Sequence, residues 1–191
     1  MSEPIFETVV TTRSPAGRIH VAPMGVRYVG AAVVFKPFRP SATLDNVLAT
    51  RTAVLNLVED VRIFAGCVTG RGDWPVVPVA SAHAEPAVRL QAAAGHVVLA
   101  LDSSDDDLER PTLRLRRVAE ETHAPWRGFN RAQAAVIEGA VLVSRLRMLS
   151  RDKVEAEMRY LQIAIDRTAS PIEIEAWEWL RAAVARHAEA A

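Results

Sequence analysis

The chain has 191 residues, of which 50% are hydrophobic and 24% are charged, a balance typical of a folded globular protein. Lysine and arginine total 23 and aspartate and glutamate total 23, so the chain lacks the positive excess of a nucleic-acid-binding protein. Its apolar runs are too short to span a membrane and no secretory leader is recognisable, which predicts a cytoplasmic protein with neither nucleic acid nor membrane as partner. The single cysteine, Cys67, excludes an internal disulfide and a cysteine-cluster metal site.

Strand and turn signals dominate the chain up to about residue 122. Alternating side chains define a first strand, and Ser14-Pro15-Ala16-Gly17 supplies the residues of a tight turn after it. A turn near Tyr28 separates the second and third strands, and Pro37 and Pro40 then force an irregular loop because proline cannot donate to a strand ladder. The predicted strands, in chain order, are 6–12, 18–26, 29–35, 52–58, 87–90, 96–102 and 111–118.

Two short helices are predicted between these strands. The first covers Thr43 to Ala49, and the second covers Asp60 to Cys67 with Asp60 as its N-cap. The acidic loop Ser103 to Arg110 joins the last two strands as a hairpin. These elements together predict a small antiparallel β-barrel with inserted helices.

After His123 the hydrophobic period changes from two to about 3.6, which indicates helices. Asn130 caps a helix that runs to Leu149, with Gln133 completing a capping-box pattern. A second helix covers 152–167, and Ser170-Pro171-Ile172-Glu173 is a strong start for a third. The fold class is therefore mainly β with α. A barrel domain, 1–123, is followed by a three-helix tail, 124–191, expected to pack on the barrel.

The segment from Arg39 to Asn46 is a candidate anion site. Hydroxyls at Ser41 and Thr43 precede a short helix whose first-turn amides lack internal partners, and such a helix start favours a phosphate. Arg39 or Lys36 adds a charge-assisted contact. The alternative is an ordinary helix start, with Ser41 or Thr43 as the N-cap.

A second candidate segment runs from His20 to Val26. Pro23 interrupts a strand there, and Met24 and Gly25 follow it. Proline removes a ladder donor, and glycine lets a backbone or a flat ring approach closely. An edge strand with a bulge has the same pattern, so both interpretations stay open.

Several segments carry a resemblance when they are taken together. They are Val21-Ala22-Pro23-Met24-Gly25, Phe38 to Asn46, Ala53-Val54-Leu55-Asn56-Leu57, the opening Phe6-Glu7-Thr8-Val9-Val10-Thr11-Thr12, and Phe129-Asn130-Arg131-Ala132. The first three resemble the FMN-binding split-barrel flavoproteins, which include the flavin reductases. The last two are similar to a subfamily of methanogenic archaea and methylotrophic bacteria associated with tetrahydromethanopterin one-carbon metabolism.

The resemblance implies an FMN-binding split barrel that holds FMN noncovalently. The implied cofactor-binding residues are Ala22, Pro23, Met24 and Gly25 along the ring, Ser41, Thr43 and Asn46 at the phosphate with Arg39 as a charged neighbour, and Asn56 on the adjacent strand. It also implies a homodimer. The sequence has no Gly-x-Gly-x-x-Gly, so NADH or NADPH would bind only transiently as the electron donor.

Other side chains give weaker signals. The histidines show no metal-ligand spacing, so no metal site is predicted; they are His20, His83, His96, His123 and His187. Cys67 has no second cysteine or histidine close to it in the sequence and is expected to be inert. No catalytic side chain is assigned, because hydride transfer can be carried out by a flavin itself.

Two functions follow from this interpretation. The first is a flavin-dependent oxidoreductase that acts on a small acceptor, with a pterin-related compound as one candidate. The alternative is a non-catalytic FMN-binding carrier, sensor or assembly protein. The two differ in whether the bound flavin is reduced by a nicotinamide.

Overall fold

The computed structural model describes residues 3–80 and 87–190, and six of its strands close into a barrel. The strands are β1 (Phe6–Arg13), β2 (Ile19–Val29), β3 (Ala32–Phe35), β4 (Thr52–Val58), β5 (Val76–Val79), β6 (Ala87–Leu90), β7 (Ala93–Ser104) and β8 (Leu113–Thr122). The helices are α1 (Ala42–Thr50), α2 (Arg62–Val68), α3 (Arg131–Ser144), α4 (Arg151–Thr168) and α5 (Pro171–Ala190), with a 3-10 turn at Leu146–Met148. Around the barrel the order is β1-β2-β3-β8-β7-β4, and β5 and β6 form a separate ribbon. The predicted barrel with a three-helix tail is confirmed.

The barrel core is built by the strand alternation that the sequence shows. Successive side chains of a strand point to opposite faces, so every second residue enters the interior. The buried core residues on strands are Val10, Val26, Val33, Phe35, Ala53, Leu55, Val97, Leu99, Leu101, Leu113 and Leu115. Leu44 and Val47 of α1 belong to the same cluster. The first inserted helix is therefore fixed by apolar burial against the barrel.

The β2–β3 hairpin differs from the sequence prediction. Tyr28 and Val29 pair with Val33 and Ala32, so the turn falls at residues 30–31 and the predicted turn near Tyr28 is wrong. Gly30 has a φ of 61°, a conformation that glycine adopts without strain. The strand β5 was not predicted, because Pro78 interrupts its short apolar run.

One part of β2 has a strand neighbour on a single side. Residues Phe6–Arg13 of β1 pair with β2 over Ile19–Val26, whereas β3 pairs with β2 only over Val26–Val29. No strand of the described residues pairs with the other edge of β2 from Ile19 to Gly25. The barrel is thus closed at one end of β2 and open along the rest of that strand.

The chain separates into two compact units, which are described individually. The first comprises the described residues of 1–58 and 74–126, and the second those of 59–73 and 127–191. The second unit therefore includes α2, although the sequence placed this helix in the barrel domain. The reason is the apolar face of α2, whose buried residues Ile63, Phe64 and Ala65 pack with α3 and α5.

The helical unit has a core of its own. Gly139 of α3 lies so close to α5 that a Cβ there would come within 2.8 Å of Trp177 and 3.0 Å of Leu180. Trp177 is 1% exposed, and its indole N–H donates to Gln162 Oε1 at 2.7 Å. No helix of the described residues combines the length and apolar character needed to cross a membrane.

The predicted helix starts are confirmed in part. Asn130 Oδ1 accepts from the Ala132 amide at 2.8 Å, as predicted for an N-cap, but Gln133 donates to Glu59 O and Glu173 Oε1 instead of completing a capping box. The capping box at Ser170 and Glu173 is present.

Two predicted helix boundaries are wrong. α3 ends at Ser144 rather than Leu149, because the chain leaves the α conformation at Arg145, where φ is −119° and ψ is 13°. α2 begins at Arg62 with Val61 as N-cap, while the predicted cap, Asp60, accepts from the Arg62 amide at 3.1 Å.

Candidate functional site

The first turn of α1 presents free backbone donors. Ser41 is the N-cap, and its hydroxyl accepts from the Leu44 amide at 3.2 Å. The Asp45 amide bonds to Ser41 O, so the amides of Ala42 and Thr43 are the first-turn donors without an intrahelical partner. The alternative of an ordinary cap is thus correct for Ser41, but it leaves two amides available to an anion.

Thr43 is a buried polar residue whose hydroxyl lacks a partner. The residue is 1% exposed, and none of the described residues forms a hydrogen bond with its hydroxyl. Among the described residues, Trp74 Nε1 is the one side-chain polar atom that is both completely buried and without a hydrogen-bond partner. The Thr43 hydroxyl also has no partner among these residues, so it is not completely buried and its oxygen reaches solvent. A buried residue that presents an unbonded hydroxyl beside two free amides suits a phosphate oxygen.

Asn46 connects α1 to the barrel. The residue is 7% exposed, and its amide nitrogen donates to Thr12 Oγ1 on β1 at 3.0 Å. Thr12 pairs with His20 on β2, and Val10, two residues earlier on β1, pairs with Ala22. A two-residue step along a strand covers about 7 Å, so the start of α1 and the open segment of β2 lie on the same part of the barrel.

Charged groups of both signs lie near the start of α1. Arg39 is exposed, its amide donates to Glu109 O at 2.8 Å, and the Arg39–Pro40 peptide is cis. No described residue forms a hydrogen bond or an ion pair with the Arg39 guanidinium. Asp45, also exposed, carries the opposite charge in the first turn. Arg39 is therefore a cation near this helix start that is not engaged by a carboxylate of the described residues.

The segment Ala22–Gly25 lies on the open edge of β2. Pro23 pairs with Val9 in register, and Met24 is partly buried against the barrel core. Met24 O accepts from the Thr8 hydroxyl at 2.7 Å. Burial lowers the pKa of His20, which lies two residues before Ala22, so this imidazole is neutral at pH 7.

Gly25 lies close to a neighbouring side chain of the same unit. Its φ lies outside the left-handed region, so an unusual backbone conformation does not explain the glycine. A Cβ at this position would come within 2.8 Å of Ile5 Cγ2 and 3.5 Å of Glu7 Oε1. Ile5 is 53% exposed and can turn aside, so this contact favours a small residue at position 25 without demanding glycine. A contact of Gly25 with a flat ring stays a prediction.

Asn56 is the most completely bonded polar residue of the predicted site. It is 0% exposed, and its amide nitrogen donates to Val9 O, Thr11 Oγ1 and Val54 O at 3.1–3.2 Å. Its oxygen accepts from the Leu90 amide at 2.8 Å. The side chain joins β1, β4 and β6, so its contact with a ligand rests on the sequence resemblance alone.

Most of the predicted site residues fall into two groups, the phosphate candidates and the ring candidates. The structure brings the phosphate candidates Ser41, Thr43 and Asn46 together at the start of α1, near the strand segment that carries the ring candidates. His20 begins the second candidate segment in the sequence but was given no role of its own, because an isolated histidine on a strand gives no signal.

The family models match nearly the whole chain. The model described as "Protein of unknown function (DUF447) N-terminal domain" matches residues 6–124, and the model described as "Protein of unknown function (DUF447)" matches residues 130–182. No curated protein matches the chain.

Solved structures show the same fold. The FMN-bound protein MM1853 from Methanosarcina mazei, itself assigned to DUF447, is 20% identical with a TM-score of 0.82, covering 95% of this chain and 96% of its own. The 2-nitrobenzoate 2-nitroreductase NbaA of Pseudomonas fluorescens is 21% identical with a TM-score of 0.53, covering 63% of this chain and 65% of its own. An FMN-binding protein from Thermus thermophilus, with bound 1-cyclohex-2-enone, is 13% identical with a TM-score of 0.51, covering 63% and 71%. The fold of this chain is therefore that of the FMN-binding split barrels.

Proposed function

The chain belongs to the DUF447 family, and from that premise we propose that it binds FMN noncovalently and acts as a flavin-dependent oxidoreductase on a small acceptor. The observation that supports FMN most directly is the likeness to an FMN-bound protein over 95% of the chain. The nitroreductase among the similar structures supports the oxidoreductase class. Fold alone does not establish a reaction, so the proposal also depends on the site residues.

The start of α1 fits the phosphate of FMN. The amides of Ala42 and Thr43 and the hydroxyl of Thr43 are donors without partners among the described residues, and a helix N-terminus favours a dianion. Ser41 still has its hydroxyl proton to donate, since its oxygen acts as acceptor toward Leu44. Arg39 adds positive charge, and Asp45 opposes it. The balance of free donors favours an anion.

The open edge of β2 fits the flavin ring. Residues Ala22–Gly25 carry backbone groups along an edge with which no described strand pairs. Backbone donors there would serve the carbonyl oxygens of the ring, while Pro23 contributes an apolar surface. Met24 and Gly25 follow on the same strand and pair with Thr8 and Glu7, about 13 Å or more along β1 from Thr12, which Asn46 contacts.

Bound FMN would supply the redox chemistry, taking electrons from NADH or NADPH and passing them to the acceptor. The chain's own residues need only bind and orient the reactants. This is consistent with the predicted site residues, which do not include a pair of catalytic acid and base side chains. His20, whose pKa is lowered by burial, lies two residues before the ring segment on β2 and is a candidate proton donor or acceptor there. The homodimer and the link to tetrahydromethanopterin metabolism stay predictions.

Absorbance spectroscopy tests the proposal. The purified protein should bind FMN, and should bind riboflavin much more weakly because riboflavin lacks the phosphate. Anaerobic mixing of the FMN complex with NADH or NADPH should bleach the flavin absorbance. A flavin that stays oxidised with both nicotinamides would contradict the oxidoreductase and favour a carrier, sensor or assembly protein. A failure to bind FMN would contradict the whole proposal.

A further inference from the structure

A cluster of metal-ligating side chains lies on β7 and β8, across the barrel from the proposed ring segment of β2. His96 lies on β7, Glu121 lies opposite it on β8, and His123 follows the end of β8. Two strands separate β7 from β2 in either direction around the barrel. The cluster is therefore separate from the ring segment on β2, whereas Asn56 of β4 lies beside it, in register with His96.

The two imidazoles are held edge to edge. His96 Nδ1 and His123 Nε2 are 2.8 Å apart, and the ring planes differ by 3°. The ring centroids are 5.0 Å apart, which is about the N···N distance plus the two ring radii, so the rings are nearly coplanar and share one N–H···N hydrogen bond. The amides of His123 and Ala124 both donate to Ala94 O, at 2.7 and 3.0 Å, which anchors His123 on β7.

The cluster opens into a cleft of about 330 Å³ between the β5–β6 ribbon and the outer face of β7 and β8. His96 is 5% exposed, whereas the Glu121 side chain is 69% exposed and free to reorient. Arg89 brings a positive charge to the cleft, and its guanidinium donates to the carbonyls of Leu90 and Gln91. Glu121 supplies the negative charge next to the imidazoles, since the neighbouring Glu120 is paired with Arg117.

We propose that His96, His123 and Glu121 bind one first-row divalent cation, for which Zn²⁺ is the best match. Two imidazoles and one carboxylate are a common zinc ligand set that leaves a fourth position open, here toward the cleft. One ligand atom from each residue lies within 4.8 Å of the others. Tetrahedral zinc with bonds of about 2.1 Å separates its ligand atoms by roughly 3.4 Å, so small side-chain movements close the site.

Two local changes accompany binding. The facing nitrogens, now 2.8 Å apart along the line of their lone pairs, must separate by roughly half an ångström, and each ring must turn by about 35° so that both lone pairs point at a tetrahedral ion. The proton that they share must move to the other nitrogen of its ring, because a coordinating imidazole nitrogen carries no proton. His123 Nδ1 lies 3.8 Å from Glu121 Oε1, so this carboxylate is placed to receive that N–H or to coordinate the ion itself.

Calorimetric titration tests the site in the full chain without a polyhistidine tag. We expect one equivalent of Zn²⁺ per chain to bind in the micromolar range or tighter, and Co²⁺ to give the visible absorption of a four-coordinate site. His123→Asn and Glu121→Gln should each weaken binding by at least the roughly 10- to 100-fold that losing an outer-shell partner of a ligand costs. His187→Asn and Glu138→Gln, which lie on α5 and α3, are the matched controls and should bind Zn²⁺ like the wild type.

Three results would overturn the proposal: no Zn²⁺ binding at 100-fold excess, unchanged affinity in Glu121→Gln, or equal losses in the control variants. Glu121 is exposed, so its variant is informative even where His123→Asn folds poorly. FMN affinity should be unchanged in the Glu121 variant, which separates this proposal from the function proposed above. His83 lies outside the described residues and takes no part in the argument.

Discussion

Asn56 and Thr43 are both buried polar residues of the barrel, but their hydrogen bonds differ completely. The Asn56 amide is bonded on both its nitrogen and its oxygen, whereas the Thr43 hydroxyl has no partner among the described residues. A protein seldom leaves a polar group of a buried residue unbonded unless water or a ligand completes it. The difference teaches that the same sequence resemblance can mark one residue that holds the fold and another that is available to a ligand.

The largest expected effect is a loss of stability when the fully bonded side chain of Asn56 is removed. Asn56→Ala would leave the Leu90 amide without its side-chain acceptor and remove the donor to Val9 O, Thr11 Oγ1 and Val54 O at a site that is 0% exposed, which should lower the free energy of unfolding by about 3–5 kcal/mol. Urea unfolding followed by circular dichroism measures this loss. Asn46→Ala, which removes one hydrogen bond to Thr12, is the matched control and should cost about 1 kcal/mol. Unchanged stability of Asn56→Ala would show that the comparison is wrong.

For the unbonded hydroxyl of Thr43, we expect a loss of FMN affinity with little change in stability. Thr43→Val keeps the shape of the side chain and removes a donor to a charged phosphate, so FMN binding should weaken by about 1.5–3 kcal/mol, roughly ten- to hundredfold. Stability without FMN should change little. Fluorescence titration with FMN and with riboflavin measures both affinities, and the loss should appear with FMN only. If Thr43→Val and Ser41→Ala both bound FMN as tightly as the wild type, the start of α1 would not be part of the FMN site.

The smallest effect concerns a bonded carboxylate in the helical unit. Burial alone would raise the pKa of Glu173, but hydrogen bonds from the Ser170 hydroxyl and amide and from Gln133 outweigh it and hold the pKa below its usual value. A lowered pKa in the folded state contributes stability above the unfolded pKa, and this contribution is lost as pH falls through the folded pKa.

Glu173→Gln should therefore lower the free energy of unfolding by about 1 kcal/mol at pH 7, and by less at a pH well under 4.5. Thermal unfolding of both proteins across this pH range measures the difference. Glu178→Gln, an exposed change on the same helix, should alter stability by less than about 0.5 kcal/mol at either pH. A Glu173→Gln loss that does not depend on pH would contradict the lowered pKa.

Local patterns in the sequence were sufficient to predict most of the elements. The strand at 52–58 and the cap at Asn130 depend on a few adjacent residues, and both are confirmed. The turn at Gly30 was missed because Tyr28 and Val29 suit a strand or its end equally well. α2 was assigned to the barrel because the sequence does not show which unit buries an apolar face.

Contacts between distant segments limited the prediction of the sites. His96 and His123 are 27 residues apart, and only the register of β7 with β8 and the anchoring of His123 on Ala94 bring their rings together. Similarly, the resemblance grouped Asn56 with Thr43, but a residue type cannot reveal that one side chain is fully bonded and the other is not. Gly139 received its explanation only from Trp177, on another helix.

The open edge of β2 also bears on the solubility of the protein. An unpaired strand edge is a template for strands of other molecules, and proteins protect such edges against aggregation. Pro23 stands within the open stretch from Ile19 to Gly25 and removes one backbone donor from it. A strand of another molecule that paired with this edge would therefore lack one hydrogen bond at Pro23. A small ligand can instead bond to the backbone groups on either side of Pro23.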